Sequence, residues 1–326
     1  WNLQTIYGNE YSPSKAALNL VKSIACSIVN KKFASIILKC LHENYPMTGL
    51  QHVKRIRTVK STEGDCLQVL VFVGTKHLHA SELHVLETNM ETKKSPLDSI
   101  QSLNEIKEYL TSFVPVQVPI VPPLTREQFE MCQLYWPVSF HENKAVSQLM
   151  NCSLFTDADY CIMESNMKLA IQTAAAGKLM HPSANVGAVV VDSVSNSVIA
   201  TAYDLRNIPC EINKGIMVAH PLNHATMVAI DLVAYSQGGG SYNYKDLLKM
   251  NDNSNYICTN LTLYVTREPC IMCCMALLHS RIKRVFYGTS FVGGGFGSSY
   301  KLNTIKELNH RFEVFQGVLE NECSRL

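Results

Sequence analysis

The C-terminal half of the chain alternates between apolar segments of helical and of strand period. Residues 156–176 place apolar side chains three and four positions apart, which predicts an amphipathic helix ended by Gly177. Short apolar runs at residues 186–191 and 198–202, separated by a polar turn, predict two strands. A second amphipathic helix is predicted over residues 224–236, where the apolar positions again follow the helical period.

The rest of this half repeats the strand and helix order. Residues 261–266 alternate and are β-branched, which predicts a strand, and a helix is expected directly after it at residues 269–279. Residues 281–287 predict another strand, whereas residues 238–254 are polar and predict a surface insertion. The order helix, strand, strand, helix, strand, helix, strand favours a sheet covered by helices, an α/β sandwich.

The N-terminal part predicts a smaller α/β domain. Apolar positions within residues 14–44 recur at helical spacing and predict two helices, and residues 99–110 predict another. Residues 54–60 and 67–73 predict two strands. Residues 113–123 alternate prolines with apolar side chains, which favours an extended linker; an edge strand is the alternative, and both place a domain boundary here.

These patterns divide the chain into four parts. Residues 1–17 begin without methionine, and we expect them to be a segment of uncertain or non-native origin. Residues 18–112 form the small α/β domain, and residues 113–155 form a proline-rich linker with a connecting helix. Residues 156–326 form the larger domain, which carries the candidate chemistry.

Composition indicates a folded protein of a reducing compartment. The chain is 47% hydrophobic, and its net charge of +2 is too small to identify a partner, so nucleic-acid binding would need a local cluster. The twelve cysteines lack the spacing of a disulfide framework, which favours free thiols. No apolar run approaches the roughly 20 residues of a membrane-spanning helix, so we expect no membrane association.

The segment Pro-Cys-x-x-Cys at residues 269–273 is a compact metal-binding pattern. Proline suits the first turn of a helix, and thiols three residues apart then lie on one helical face. His224, at the start of the preceding predicted helix, is a natural third ligand beside Cys270 and Cys273. Two thiolates and one imidazole with an open fourth position are typical of a catalytic zinc. Cys274 could compete, but the x-x spacing favours Cys273.

His224-Ala225-Thr226 together with this segment resembles the His-x-Glu and Pro-Cys-x-x-Cys signature of zinc nucleobase deaminases. Zinc in those enzymes activates the attacking water, and the glutamate carries protons to the ring and to the leaving amine. This chain departs from the pattern, since Thr226 stands where the glutamate is expected. A hydroxyl cannot replace a carboxylate in general acid–base catalysis, which contributes roughly 10²–10⁴ in rate. We therefore expect a nearly inactive site.

A closer resemblance is to the non-catalytic subunit of the eukaryotic heterodimeric tRNA wobble adenosine deaminase, in the cytidine and deoxycytidylate deaminase superfamily. The similarity is strongest at residues 186–191, 220–225, 263–288 and 308–312, and it is weak in the N-terminal part. It implies a three-layer α/β/α cytidine-deaminase-like domain, preceded by a smaller α/β N-terminal domain.

The resemblance also has implications for ligands and partners. It implies one Zn²⁺ held by His224, Cys270 and Cys273, with no catalytic role for Thr226. It further implies pairing with a catalytic deaminase subunit, binding of tRNA, and adenosine-to-inosine conversion at the wobble position by the complex. A nuclear or cytoplasmic location follows from that function.

Basic residues are concentrated in a short span of the N-terminal domain. Such clusters provide the salt-dependent phosphate contacts that a near-neutral total charge hides. The alternative is that each is an ordinary solvated side chain. The predicted RNA-binding residues are Lys31, Lys32, Lys39, Lys54, Arg55, Arg57 and Lys60.

Two other functions stay open at this point. One is an active free-standing zinc nucleoside or nucleotide deaminase, in which Glu268 or a chain of water molecules replaces the missing proton carrier. The other is an RNA-binding or structural protein whose cysteines and histidine hold no metal. Turnover by the isolated chain would indicate the first, and absence of zinc would indicate the second.

Overall fold

A computed structural model of the chain describes residues 1–61, 64–73, 105–212, 216–241 and 256–326. The chain forms two compact units, one of residues 1–8 and 144–326 and the other of residues 9–143. No helix in the described ranges is long and apolar enough to span a membrane.

The elements of the larger unit are numbered along the whole chain. Its strands are β1 (Gln4–Thr5), β6 (Gly187–Asp192), β7 (Val198–Tyr203), β8 (Cys210–Ile212), β9 (Ile216–Val218), β10 (Leu261–Arg267), β11 (Arg284–Thr289) and β12 (Glu313–Gln316). Its helices are α4 (Lys144–Met150), α5 (Asp157–Met180), α6 (Ala225–Ser236), α7 (Ile271–His279) and α8 (Glu320–Cys323).

A six-stranded mixed sheet is the centre of this unit, in the order β1–β12–β11–β10–β6–β7. Strands β10, β11 and β12 are parallel neighbours, and the other pairs are antiparallel. The short strands β8 and β9 pair with each other as a separate hairpin.

Helices cover both faces of the sheet. On one face α5 packs Met163 and Met167 against a cluster that contains Val189 and Phe286. On the other face α6 and α7 pack against the alternate strand residues, in a cluster that includes Val190. Successive strand side chains point to opposite faces, so burial on both sides explains the continuous apolar strands. The predicted α/β/α domain is confirmed.

Most predicted elements of this unit are present. Helix α5 begins after Thr156, whose hydroxyl accepts the Asp159 N–H while the Asp159 carboxylate accepts the Thr156 N–H. The predicted stop at Gly177 is wrong, since α5 continues to Met180. A Cβ at Gly177 would lie 2.6 Å from the Ala184 carbonyl oxygen, so this glycine permits close packing and does not end the helix. The predicted insertion at residues 238–254 lies mostly outside the described residues.

The smaller unit is a four-stranded antiparallel sheet with helices. Its elements are β2 (Leu20–Ile28), β3 (Ile56–Ser61), β4 (Gly64–Val73), β5 (Leu110–Pro119), α1 (Lys15–Leu18), α2 (Ala34–Asn44) and α3 (Arg126–Gln133), and its strand order is β3–β4–β2–β5. Ile37 and Leu41 of α2 pack on one face, and Cys132 of α3 and Trp136 pack on the other.

Three predictions for this part of the chain are wrong. Most of the first of the two predicted helices is strand β2, with only the short helix α1 before it, and the second is helical. Residues 113–119 belong to β5 at the edge of the sheet, so the edge-strand alternative is correct there and the linker is not. The predicted helix at 99–110 lies partly outside the described residues, and its described end is a short 3₁₀ turn, Lys107–Tyr109, followed by β5.

The division of the chain differs from the prediction at the N-terminus. The two units meet in sequence between residues 143 and 144, which lies within the predicted linker segment 113–155. Residues 1–8 belong to the larger unit because Gln4 and Thr5 pair with Gln316 and Phe315 of β12. This first segment is thus an integral part of the sheet.

Candidate metal centre

The three predicted ligands lie at the starts of two helices. His224 is the residue before α6, and Cys270 is the residue before α7, where β10 delivers the chain. Cys273 lies in the first turn of α7 and is buried. Both cap residues have extended backbone angles, and neither side chain makes a capping hydrogen bond to the helix that follows.

The ligand atoms of these residues converge. Sγ of Cys270 lies 3.6 Å from Nδ1 of His224, and one ligand atom from each of the three residues lies within 4.8 Å of the others. Thiolate and imidazole donors in this number and spacing suit zinc. The predicted triad is therefore brought together by the fold.

The two thiols differ in protonation. A hydrogen bond from the Cys273 thiol lowers the pKa of Cys270 to about 3, and His224 adds to this effect against the opposing effect of burial. The same hydrogen bond and burial raise the pKa of Cys273. This hydrogen bond therefore favours the thiolate on Cys270 and the thiol on Cys273.

Cys274 is oriented away from the triad. Its thiol donates to the Pro269 carbonyl oxygen at 3.3 Å, and burial raises its pKa. A Cβ on Gly295 would come within 2.6 Å of this sulfur, so the loop packs tightly over it. Cys274 is a core residue, consistent with the preference for Cys273 as the ligand.

A pocket opens beside the triad. Thr226, the second residue of α6, is buried and lines it. The other lining residues are Val186, Asp204, Arg206, His224, Ala225, Val265, Arg267, Glu268, Pro269, Cys270, Cys273 and Phe291. Of these, only Asp204 and Glu268 carry a carboxylate, so proton transfer by a carboxylate of the described lining would depend on one of them.

The Glu268 carboxylate is bound to the loop after β11. One oxygen accepts the backbone N–H groups of Phe296 at 2.9 Å and Ser298 at 3.1 Å. The other accepts the Phe291 N–H at 3.1 Å and the Ser298 hydroxyl. A Cβ on Gly294 would lie 2.1 Å from the carboxylate carbon, so glycine is required for this approach. Glu268 therefore organises the loop, and both of its oxygens are engaged.

Asp204 is held by a neighbouring arginine. Nε of Arg206 donates to both of its oxygens at 2.9 Å, and the backbone N–H of Arg206 donates at 3.1 Å. This pairing is the largest cause of the raised pKa of Arg206. Both carboxylates of the lining are thus committed to protein partners.

Arg267, the last residue of β10, also reaches the pocket. The centre of its guanidinium lies 5.3 Å from the centroid of the Phe291 ring. Burial lowers its pKa, and the Asp204 charge partly opposes this effect. Sequence reasoning missed Asp204, Arg206 and Arg267. Charged residues directly at the ends of two predicted strands were the available signal, because sites commonly form at strand ends.

Comparison with known proteins identifies the family of this chain. Residues 162–289 match the cytidine and deoxycytidylate deaminase zinc-binding region, and residues 21–136 match the tRNA-specific adenosine deaminase TAD3 N-terminal domain. The chain is 38% identical over 339 residues to the probable inactive tRNA-specific adenosine deaminase-like protein 3 of Danio rerio, with 100% of this chain and 94% of that protein covered. The chain belongs to this family.

Other relatives agree with that assignment. The protein of the same name from Mus musculus is 36% identical, with 95% of this chain and 88% of that protein covered. The Schizosaccharomyces pombe relative is 28% identical, with 90% and 82% covered, and it is named tRNA-specific adenosine deaminase subunit tad3. The family expected from the sequence is confirmed, and the names of the Danio rerio and Mus musculus relatives, which include the words probable inactive, agree with the threonine at position 226.

Within the TAD3 N-terminal domain, the seven predicted RNA-binding residues separate into two groups. The five lysines, Lys31, Lys32, Lys39, Lys54 and Lys60, are exposed. Arg55 and Arg57 instead serve the fold. Arg55 donates to the carbonyl oxygens of Tyr45 at 2.7 Å and Leu70 at 3.2 Å.

Arg57 is similarly occupied. It donates to Oε1 of Gln68 at 2.9 Å and to the Tyr135 carbonyl oxygen at 3.2 Å, and its guanidinium stacks 4.4 Å from the Trp136 ring. Burial lowers the pKa of both arginines, to about 10 for Arg55. Unlike the five exposed lysines, both arginines therefore bind partners within the domain.

Proposed function

We propose that this chain is the non-catalytic, zinc-binding subunit of a tRNA adenosine deaminase complex that forms inosine at the wobble position. One observation carries the proposal: the metal triad is intact, while Thr226 replaces the proton carrier and both carboxylates of the described pocket lining are engaged. A site of this kind can hold a metal but lacks a free acid or base for deamination.

The residues fit Zn²⁺ by their chemistry. His224, Cys270 and Cys273 would hold it, with two sulfur donors and one nitrogen donor. When bound, zinc supplies a Lewis acid and a cross-link between the starts of α6 and α7. The chain's own contribution is to position these donors on two helix starts and to keep Cys270 as a thiolate.

The partners follow from the family. A relative named as a subunit supports pairing with a catalytic deaminase subunit, and the exposed lysines of the N-terminal domain supply a surface for tRNA phosphates. A nuclear or cytoplasmic location belongs to the proposal, because the unpaired described cysteines suit a reducing compartment.

Co-expression with a candidate catalytic subunit tests the proposal. Inosine at the wobble position is measured with both chains, with each alone, and with Cys270→Ala in this chain. We expect inosine only when both chains are present, and one zinc per copy of this chain by elemental analysis. Turnover of adenosine, cytidine or tRNA by this chain alone, unaffected by the partner, would instead establish the free-standing deaminase.

A further inference from the structure

Two polar groups in the pocket beside the metal ligands have no hydrogen-bond or ion-pair partner among the described residues. The guanidinium of Arg267 and the hydroxyl of Thr226 make no hydrogen bond or ion pair with the described residues. Every other charged side chain of the lining, apart from the metal ligands, is paired: Asp204 with Arg206, and Glu268 with the loop. Buried polar groups normally have partners, so the unpaired ones indicate where a ligand or solvent is bound.

An anion would stabilise the charged guanidinium of Arg267 more than a neutral ligand would. It is half-buried, and removal from water disfavours its charged form unless an anion compensates. Asp204, whose charge raises the pKa of Arg267, already binds Arg206 through contacts of 2.8 to 2.9 Å. The guanidinium of Arg267 lies 5.3 Å from the Phe291 ring, and both side chains line the pocket.

We propose that this pocket binds a phosphate group, with Arg267 as the main ligand and the Thr226 hydroxyl as a second donor. A planar guanidinium presents two parallel N–H groups that match phosphate oxygens. Arg206 lies on the same lining and adds positive charge, although its pairing with Asp204 reduces the effect. Asp204 and Glu268 already have protein partners, so the Arg267 guanidinium is the positive group of the described lining that is left to bind a phosphate.

The residue at position 226 is consistent with this ligand. A glutamate there would place a negative charge in the pocket and repel a phosphate, whereas a threonine hydroxyl can donate to it. The loss of the proton carrier and the gain of an anion site are then two results of one substitution. The proposal does not depend on the pairing proposed above, because it concerns a site contained within this chain.

Titration of the full zinc-loaded chain with inorganic phosphate by calorimetry tests the site. We expect saturable binding to one site, weakened at least tenfold by Arg267→Met and two- to fivefold by Thr226→Val. The matched control is Arg325→Met, which removes an exposed arginine outside the pocket lining and should leave binding unchanged. Zinc content and the unfolding midpoint are measured for each variant to show that it is folded.

A second measurement covers the case in which Arg267→Met does not fold. With Co²⁺ in place of zinc, the ³¹P signal of bound phosphate should be broadened by the nearby paramagnetic ion. Thr226→Val should reduce the broadening at a fixed phosphate concentration. Phosphate that binds without broadening is bound elsewhere, and that result would overturn the proposal.

Two further ligands distinguish a free nucleotide from a nucleic-acid backbone as the source of the phosphate. Adenosine 5′-monophosphate offers a phosphate monoester, and adenylyl-(3′→5′)-adenosine offers the diester of a polynucleotide backbone. Competition by the first alone assigns the site to free nucleotides, and competition by the second assigns it to a nucleic-acid backbone. The proposal fails if acetate binds as well as phosphate, if Arg267→Met binds like the wild type, or if binding does not saturate by about 10 mM phosphate.

Discussion

Nδ1 of His224 lies 3.6 Å from Sγ of Cys270, although 46 positions of sequence separate the two residues. Each residue precedes a different helix, so their contact joins the starts of α6 and α7 on the same face of the sheet. A metal bound between them would couple the two helices, and its binding should depend on the protons that the thiols hold.

Zinc binding should release about one proton per site near neutral pH, because metal ligation requires both thiols as thiolates. The pKa of Cys270 is lowered to about 3, so this residue is already ionised, whereas the pKa of Cys273 is raised and its proton must leave. Affinity should therefore rise about tenfold per pH unit through the neutral range.

Calorimetry in buffers of different ionisation enthalpy measures that proton. Cys274→Ser is the control, because the Cys274 thiol points to Pro269 and should not alter the count. Zinc affinity that is independent of pH between 6 and 8 would contradict the shared-proton arrangement.

Replacing Glu268 with glutamine should lower stability and leave zinc in place. The amide nitrogen of glutamine would face N–H donors that the carboxylate now accepts, so we expect a loss of about 3 kcal/mol in the free energy of unfolding. Urea denaturation measures the loss, and faster hydrogen exchange at the Phe296 and Ser298 amides would locate it in the loop.

A milder change in the hydrogen-bond network of Glu268 provides a reference for the size of this stability loss. Ser298→Ala removes only the hydroxyl donor to Glu268 and should cost about 1 kcal/mol. If Glu268→Gln kept full stability but abolished turnover by the isolated chain, Glu268 would be a proton carrier and the assignment to the loop would be wrong.

Thr226→Val should leave inosine formation by the two-subunit complex within about twofold of the wild type, a difference of roughly 0.4 kcal/mol. Valine has the shape of threonine without the hydroxyl, and the hydroxyl transfers no proton to the substrate in the proposed function. Single-turnover kinetics on tRNA measure this rate. A loss of more than tenfold with normal zinc content and assembly would show that Thr226 takes part in the reaction.

Changing the five exposed lysines of the N-terminal domain to glutamine should weaken tRNA binding. The dependence of log affinity on log salt should become shallower by about 1 for each lysine that contacts a phosphate, with little change in stability. Filter binding at several salt concentrations measures the slope.

Arg57→Met is the matched contrast in the same domain. This variant loses two hydrogen bonds and the contact with Trp136, so we expect about 2 kcal/mol of destabilisation and an unchanged salt slope. An altered salt slope with normal stability would show that Arg57 contributes to RNA binding.

The metal ligands and the sandwich could be predicted because each leaves a local pattern. Cys270 and Cys273 are spaced for one helical face, and the strands of the larger sheet are short apolar runs between clear turns. The strand β2 was mistaken for a helix because it is central and buried on both faces. Ala25 packs on one side and Cys26 on the other, so no alternation is visible, and a register shift between Ile24 and Ala25 interrupts the pairing with β4.

Interactions with the backbone explain the other misses. Glu268 was taken as a candidate proton carrier because its role in the loop is not visible in the sequence. Its partners are mainly backbone N–H groups 23 to 30 residues away, and every residue type except proline has such a group. Arg55 was counted as a surface cation because its partners are carbonyl oxygens. The charge of an arginine does not show whether its guanidinium faces solvent or binds backbone carbonyl groups within the fold.

Strand β1 means that the smaller unit is an insertion into the larger one. A truncated chain starting at residue 144 would keep the metal ligands, yet it would expose the N–H and C=O groups of β12 that Gln4 and Thr5 now cover. An uncovered strand edge of this kind recruits other chains. To isolate the deaminase-like half, residues 1–8 should therefore be kept. They can be joined to residue 144 by a short Gly/Ser linker, or placed after residue 326 in a circularly permuted chain.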